Sequence, residues 1–456
     1  MGSGKYWLET YGCQMNKAES NALELELKGA GWAAAADPGE ADLVILNTCS
    51  VRITAEDRIW GRLGQLVGLK EKRPFTLTVM GCMAENYSED LTERVPGVDL
   101  VVGTFRKASF VKSLDRLFGE DGAAARLAEA DSKEKNRLRD ELLPEDRLYR
   151  FQDIHAEEGG FKAFVPIMHG CNNFCSYCIV PYVRGREISR EPDEILAELD
   201  RLESQGVKEV TLLGQNVNSF RFAGEDGRTV LFPGLLGMIA GRVRSIEWIR
   251  FLTSHPKDLS DELIELIAAN RKLCRHIHLP VQHGSNAILR AMNRRYTAEG
   301  YRALVERIRR TVPDVSLTTD LIIGFPGETE QDLDATLGLM QDVGFDDAFT
   351  YKYNPREGTK AYELGDTVPD EVKLERLSRV IELQRRIGHT RKEARLGSRE
   401  KVLVEGVSKK NAGELLARTE RDEMVVFPGP VSLIGGFRTV ELSALSGNTF
   451  KAKEIT

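Results

Sequence analysis

The sequence predicts an α/β chain in three parts: an N-terminal parallel-sheet α/β domain, a central partial (β/α)6 barrel and a small all-β barrel at the C-terminus. Three observations predict it. Short apolar runs alternate with helical patterns over residues 4–120, longer strand–helix units repeat over 160–360, and the last sixty residues hold only short strands between turn residues. The first two patterns imply right-handed crossovers and parallel sheets, whereas the third suits a small closed barrel. A length of 456 residues fits roughly three domains. With 41% apolar and 29% charged residues, a disordered or fibrous chain is excluded.

In the first part, residues 5–10, 42–47, 76–80 and 100–102 read as strands, with helical patterns over 17–29, 55–69 and 88–94. The stretch 120–158 then carries twelve acidic against seven basic residues, most of the chain's net charge of −7. It reads as a solvated, partly helical connector (residues 121–156) between domains at 4–120 and 157–391; an acidic partner-binding tail is the other reading. Central strands are expected at 161–168, 209–213, 247–252, 275–279, 316–323 and 348–353, with helices such as 192–205, 261–269 and 330–342 following them. A helix over 370–396 leads into strands at 401–407, 414–418, 424–427 and 439–445, so the last domain is placed at 392–456.

Charge and patterning limit the function. With 63 basic and 70 acidic residues the chain is no general nucleic-acid binder, so any such contact must be local. Arg385, Arg386, Arg391, Lys392 and Arg395 stand against Glu393 alone, a concentration that fits phosphate contacts or a merely charged helix face. No apolar run approaches a membrane span. The N-terminus shows no signal-peptide pattern, and Tyr6 stands where myristoylation needs Ser or Thr. A cytoplasmic protein without membrane attachment is therefore expected. Gly2-Ser3-Gly4-Lys5 resembles a phosphate loop, but no strand precedes it.

Seven cysteines are an odd count that fits no disulfide framework. Cys171, Cys175 and Cys178 are spaced C-x3-C-x2-C directly after the first central strand, at the barrel mouth where active sites gather. Three thiolates can wrap one small cluster or ion; on a four-iron cluster they leave one iron open for a substrate. With His169 as fourth ligand the same loop could hold a structural zinc. Cys13, Cys49 and Cys82 each follow a strand of the first domain, and parallel strand ends share one edge, so the three converge as a second set. Buried packing thiols are the alternative for each alone. Cys274, opening an apolar strand, reads as core.

These residues carry a resemblance. C-x3-C-x2-C after the first barrel strand resembles the radical S-adenosylmethionine (SAM) enzymes, and the paired first domain with Cys13, Cys49 and Cys82 resembles the methylthiotransferases among them. The tail is similar to the TRAM RNA-binding module. Tyr11-Gly12-Cys13-Gln14-Met15-Asn16, Asn47-Thr48-Cys49-Ser50-Val51-Arg52 and the run from Cys171 to Glu187 are similar to the branch acting on isopentenyl-type adenosine of tRNA. They are less like the branches acting on threonylcarbamoyl adenosine or on a ribosomal-protein aspartate. One departure is Asn354-Pro355-Arg356-Glu357-Gly358-Thr359, where Ser-Pro-Arg-Pro-Gly-Thr is expected.

The resemblance implies a transferase that puts a methylthio group on carbon 2 of adenosine 37 in the tRNA anticodon stem-loop. Two [4Fe-4S] clusters and SAM are the implied cofactors, one cluster per cysteine set, with no catalytic residues beyond the cluster ligands. The target C–H bond is beyond side-chain acid–base chemistry. An electron donor such as flavodoxin or ferredoxin and a monomeric state are implied too. Candidate SAM contacts are Gln215 and Asn216 after the second strand, Ser254 and Gln282 at the ends of the third and fourth, and Asp320 before Gly324-Phe325-Pro326-Gly327. The last segment also reads as a turn into a helix capped by Thr329 with Asp332. His276 and His278 share a strand face with no third ligand in view. A zinc-stabilised RNA-binding protein without catalysis is the reading from another class.

Overall fold

The computed structural model describes residues 4–50, 53–119, 122–143, 149–157 and 159–455. Gly2, Ser3, Val51 and Arg52 lie outside them. Five parallel strands, β1 (Lys5–Thr10), β2 (Ala33–Ala34), β3 (Leu43–Thr48), β4 (Thr76–Gly81) and β5 (Leu100–Val102), form the first sheet in the order β2-β1-β3-β4-β5. Every residue of β3 and β4 is buried, as expected of strands covered on both faces. Leu43 and Ile45 point into one core with Leu23, Leu27 and Phe110, and Val44 and Leu46 into the other with Ile59, Leu63 and Leu66. The sheet order reverses between β1 and β3, and ligand crevices open at the carboxyl ends beside such a switch.

The acidic stretch is more than a solvated connector. Helices Ala123–Glu129 and Ser132–Leu142 press Leu127, Leu138, Leu142 and Leu143 into the first domain's core. Lys135 donates to the carbonyls of Pro96 and Val98 at 2.6 and 2.8 Å. Composition gave the exposed face its acid, while the leucines of both helices face inward. Of the expected helix at 88–94 only the last turn, Leu91–Arg94, forms, after a separate short helix at Cys82–Asn86.

The centre is an open partial barrel. After β6 (Lys162–Pro166) come a small ribbon of β7 (Met168–His169) and β8 (Ile188–Ser189), then β9 (Glu209–Leu213), a hairpin of β10 (Arg221–Ala223) and β11 (Thr229–Leu231), β12 (Trp248–Phe251), β13 (His276–His278), β14 (Ser316–Ile323) and β15 (Asp347–Lys352). Strands β6, β9 and β12 form one parallel sheet and β13, β14 and β15 another, joined by a parallel bridge from Ile249 to Leu273. The six parallel strands match the expected units, and one large apolar core lies between them and their helices. Among the described residues no helix is long and apolar enough to cross a membrane.

Helix Asp370–Glu393 leads to a closed barrel of β16 (Arg399–Val407), β17 (Glu414–Thr419), β18 (Met424–Pro428), β19 (Phe437–Ser446) and β20 (Thr449–Glu454). This barrel seats on the amino ends of the central strands. Trp248, at the start of β12, meets Phe437 edge-on at 4.8 Å, in a cluster with Phe161, Cys274 and Leu403. Buried Arg250 donates to the carbonyls of Glu420 and Thr419 at 2.8 and 2.7 Å while paired with Glu209 at 2.9 Å. Cys274 is thus packing, as expected.

Candidate functional site

The ends of β1, β3 and β4 bring Cys13, Cys49 and Cys82 together. Asn16 and Asn47 lock the first two loops: the Asn16 amide donates to Thr48 O at 2.9 Å and the Asn47 amide to Asn16 O at 2.9 Å. Thr48 in turn donates to Met80 O at 2.7 Å, tying in the third loop. At Gly12 a Cβ would stand 2.6 Å from the Cβ of Cys49, so only glycine lets these loops approach so closely. Cys13 is the N-cap of helix Gln14–Gly29 and lies open to solvent, whereas Cys49 and Cys82 are buried. A hydrogen bond with Cys49 brings the Cys13 pKa down to about 6, helped by Arg184. Burial pushes Cys82 up, with Arg184 opposing.

The second set sits on the loop after β7. Gly170 donates its N–H to Gln215 Oε1 at 2.5 Å, and Cys171 N–H to Gly185 O at 3.1 Å. From far along the chain, Asn293 donates to Phe174 O at 2.8 Å and Arg294 to Cys175 Sγ at 3.4 Å. Burial and the neighbouring Cys175 sulfur raise Cys178 to about 12, and burial raises Cys171 to about 11. None of the seven cysteines is in a disulfide. Among the described residues no His, Cys, Asp or Glu side chains cluster around a single-ion position; thiolates gripping a four-iron cube stand further apart than those on one ion. Both sets are all-thiol, the ordinary ligand type of four-iron clusters.

The two sets belong to one crevice. Cys82 packs on Ile179 and Val183, the N-cap and last residue of the short helix Val180–Val183 after Cys178, and Thr104 donates to Val183 O at 2.6 Å. Met15 and Ala18 cover Leu213 at the end of β9. The candidate mouth residues lie at or near the carboxyl ends of the central strands. Asn216 is 1% exposed, donates to Asp258 at 2.7 Å, and leaves its Oδ1 without a partner. Ser254 donates to Asn218 at 3.2 Å. Gln282 adopts φ +70°, a strained value for a non-glycine residue. Asp320 is half-buried beside His278 at 3.5 Å. His276 and His278 do share a face, and both are held by the Thr318 hydroxyl at 3.0 and 2.9 Å.

Three family models match: the uncharacterized protein family UPF0004 over residues 5–103, the radical SAM superfamily over 165–340 and the TRAM domain over 393–453. A tRNA-2-methylthio-N(6)-dimethylallyladenosine synthase of Treponema denticola is 49% identical over 455 residues, 98% of this chain and 99% of that one. A protein of the same name from Clostridium botulinum (strain Langeland) is 43% identical over 456 residues, 99% and 97% of the two chains. The chain belongs to the tRNA-2-methylthio-N(6)-dimethylallyladenosine synthase family. The synthase fold extends to remoter enzymes: the radical S-adenosylmethionine methyltransferase TsrM of Kitasatospora setae aligns with TM-score 0.55 at 15% identity, over 79% of this chain and 77% of its own.

Within this synthase-family chain the five basic residues at 385–395 divide. Arg385 and Arg386 are exposed. Arg391 pairs with Asp346 at 2.8 Å, Arg395 with Glu400 and Glu423, and Lys392 is only 8% exposed. Sequence reasoning missed Arg184, Asn293 and Arg294, which hold the thiol loops. Their signal is faint: each partner is about a hundred residues or more away.

Proposed function

We propose that this chain transfers a methylthio group to carbon 2 of N6-isopentenyl-type adenosine at position 37 of tRNA. One observation carries the reading: two all-thiol tripods, one at a parallel-sheet switch point and one at a barrel mouth, packed against each other through Cys82 and Val183. Cys171, Cys175 and Cys178 would hold one [4Fe-4S] cluster, and Cys13, Cys49 and Cys82 a second. When bound, the clusters and SAM supply a radical able to break an unactivated C–H bond and the sulfur and methyl that replace hydrogen.

The protein's own residues position and enclose. Gln215 anchors the cysteine loop through Gly170 N–H. The partnerless Asn216 Oδ1, with Ser254, Gln282 and Asp320, would meet SAM from the strand ends. At the rim, Arg186 lies over the Phe174 ring at 4.4 Å and Tyr182, 49% exposed, meets that ring edge-on. Unpaired bases stack on such surfaces. Exposed Arg385 and Arg386 suit phosphate. We assign residues 4–120, 157–391 and 392–456 as the three functional domains, and read the protein as a cytoplasmic monomer reduced by a flavodoxin or ferredoxin. Anaerobic reconstitution should yield about eight irons per chain; saturation at half that overturns the two-cluster reading. Mass spectrometry of tRNA nucleosides from a deletion strain should show the 2-methylthio group lost; its persistence, where no second such enzyme exists, counts against the substrate.

A further inference from the structure

Arg184 is the side chain that reaches from one tripod to the other. It is 3% exposed. Its Nη1 and Nη2 donate to the Glu19 carboxylate at 2.8 and 3.4 Å, and this fork turns Nε–H onto Cys82 Sγ at 3.2 Å. Nη1 also lies 3.4 Å from His169 Nδ1. His169 stacks on Tyr149 with ring centroids 3.5 Å apart, and two residues later the chain is Cys171. A chain of contacts therefore runs from the Cys82 thiol through Arg184 to the loop of the second set.

The charges in this cluster do not balance. Glu19 is also bonded by Lys107, so one carboxylate stands between two cations, and all three side chains are more than nine-tenths buried. Buried charge is strongly unfavourable unless compensated. The remaining partner in contact with Arg184 that can take up negative charge is the Cys82 sulfur, 3.2 Å from Nε. A lysine could not supply both the carboxylate fork and the separate Nε–H.

On the two-cluster reading, we propose that Arg184 is a positioning residue for the cluster on Cys13, Cys49 and Cys82, orienting Cys82 and raising that cluster's reduction potential. A buried cation favours whichever form carries more negative charge, which is the reduced one, and hydrogen bonds to cluster sulfurs and net charge are known levers on potential.

The test uses the full chain with Cys171→Ala, Cys175→Ala and Cys178→Ala, so that only the first-domain set can load. Iron per chain and the midpoint potential are read by anaerobic reconstitution and an EPR-monitored titration with dithionite. Arg184→Gln should reduce at a more negative potential than its parent, with Arg184→Lys between them. Equal potentials in all three overturn the inference. If Arg184→Gln fails to fold or to load, Arg184→Lys decides: it keeps the charge but loses the Nε–H, so a lowered potential supports the role and the parental value overturns it. An iron-free parent would instead overturn the two-cluster reading, and this inference with it.

Discussion

Replacing Gly170 by alanine should empty the Cys171, Cys175, Cys178 set while the chain still folds. Gly170 has φ +77°, and a Cβ there would lie 2.0 Å from Arg186 O, 2.5 Å from Arg186 C and 2.7 Å from Gly185 O. These are backbone atoms, which cannot swing away. Restoring ordinary contact at 3.4 Å would drive the two segments apart by well over an ångström. Cys171 is the next residue and its N–H bonds to Gly185 O, so the same displacement breaks that bond and moves a ligand. The left-handed backbone costs roughly 1–2 kcal/mol with a side chain, and overpacking adds about 1–3 kcal/mol. Gly206 isolates the first cost, since it has φ +89° with nothing within 4 Å of its Cβ position. In a background with Cys13, Cys49 and Cys82 changed to alanine, Gly206→Ala should keep its iron and lose only the first cost in denaturant unfolding. Gly170→Ala should lose most of its iron and the larger stability. Full iron in Gly170→Ala, with stability no lower than in Gly206→Ala, would refute the clash.

Cys175→Ala should abolish SAM cleavage, whereas Cys49→Ala should spare cleavage and block sulfur insertion; product analysis of both separates the roles of the two sets. Glu19 carries a pH dependence. Burial alone would raise its pKa, but Arg184 and Lys107 bring it to about 2. A depressed carboxyl contributes stability above its unfolded pKa and loses it as pH falls from about 4.5 toward 2. The loss should approach about 3 kcal/mol, and Glu19→Gln should flatten the unfolding curve over that interval; a curve as steep as the parent's excludes the role. Arg250→Ala leaves Glu209 with Lys162 alone at 3.1 Å and strips two bonds from the C-terminal barrel. A cost of about 3 kcal/mol should appear as faster proteolysis between residues 393 and 399, and an unchanged rate would show the contact to be dispensable.

What the sequence revealed depended on how local the signal was. Each of Cys13, Cys49 and Cys82 follows its own apolar strand, and parallel topology alone brings them together; no long-range contact had to be guessed. The C-x3-C-x2-C loop was likewise visible in ten residues. Arg184 was not, because its meaning lies in Glu19, 165 residues earlier, and nothing in the run after Cys178 marks that pairing. Counting charge over 385–395 failed to separate Arg385 from Arg391 for the same reason: Asp346 neutralises the latter from a strand edge outside the window. The acidic stretch misled in the opposite direction. Its composition is that of a linker, yet Leu138 and Leu142, four apart on one helix, and Leu127 on the helix before it turn to the same core, and that decided its burial.

The seating of the C-terminal barrel on Trp248 and Arg250 has a geometric corollary. The tail caps the floor of the central barrel, whereas the thiol crevice opens at its roof, and a five-residue strand between them spans about 16 Å. An RNA whose loop enters the crevice can meet the tail only by running its stem down the outer wall. A clipped hairpin too short for that descent should still be modified at saturation, but should need a higher concentration to get there.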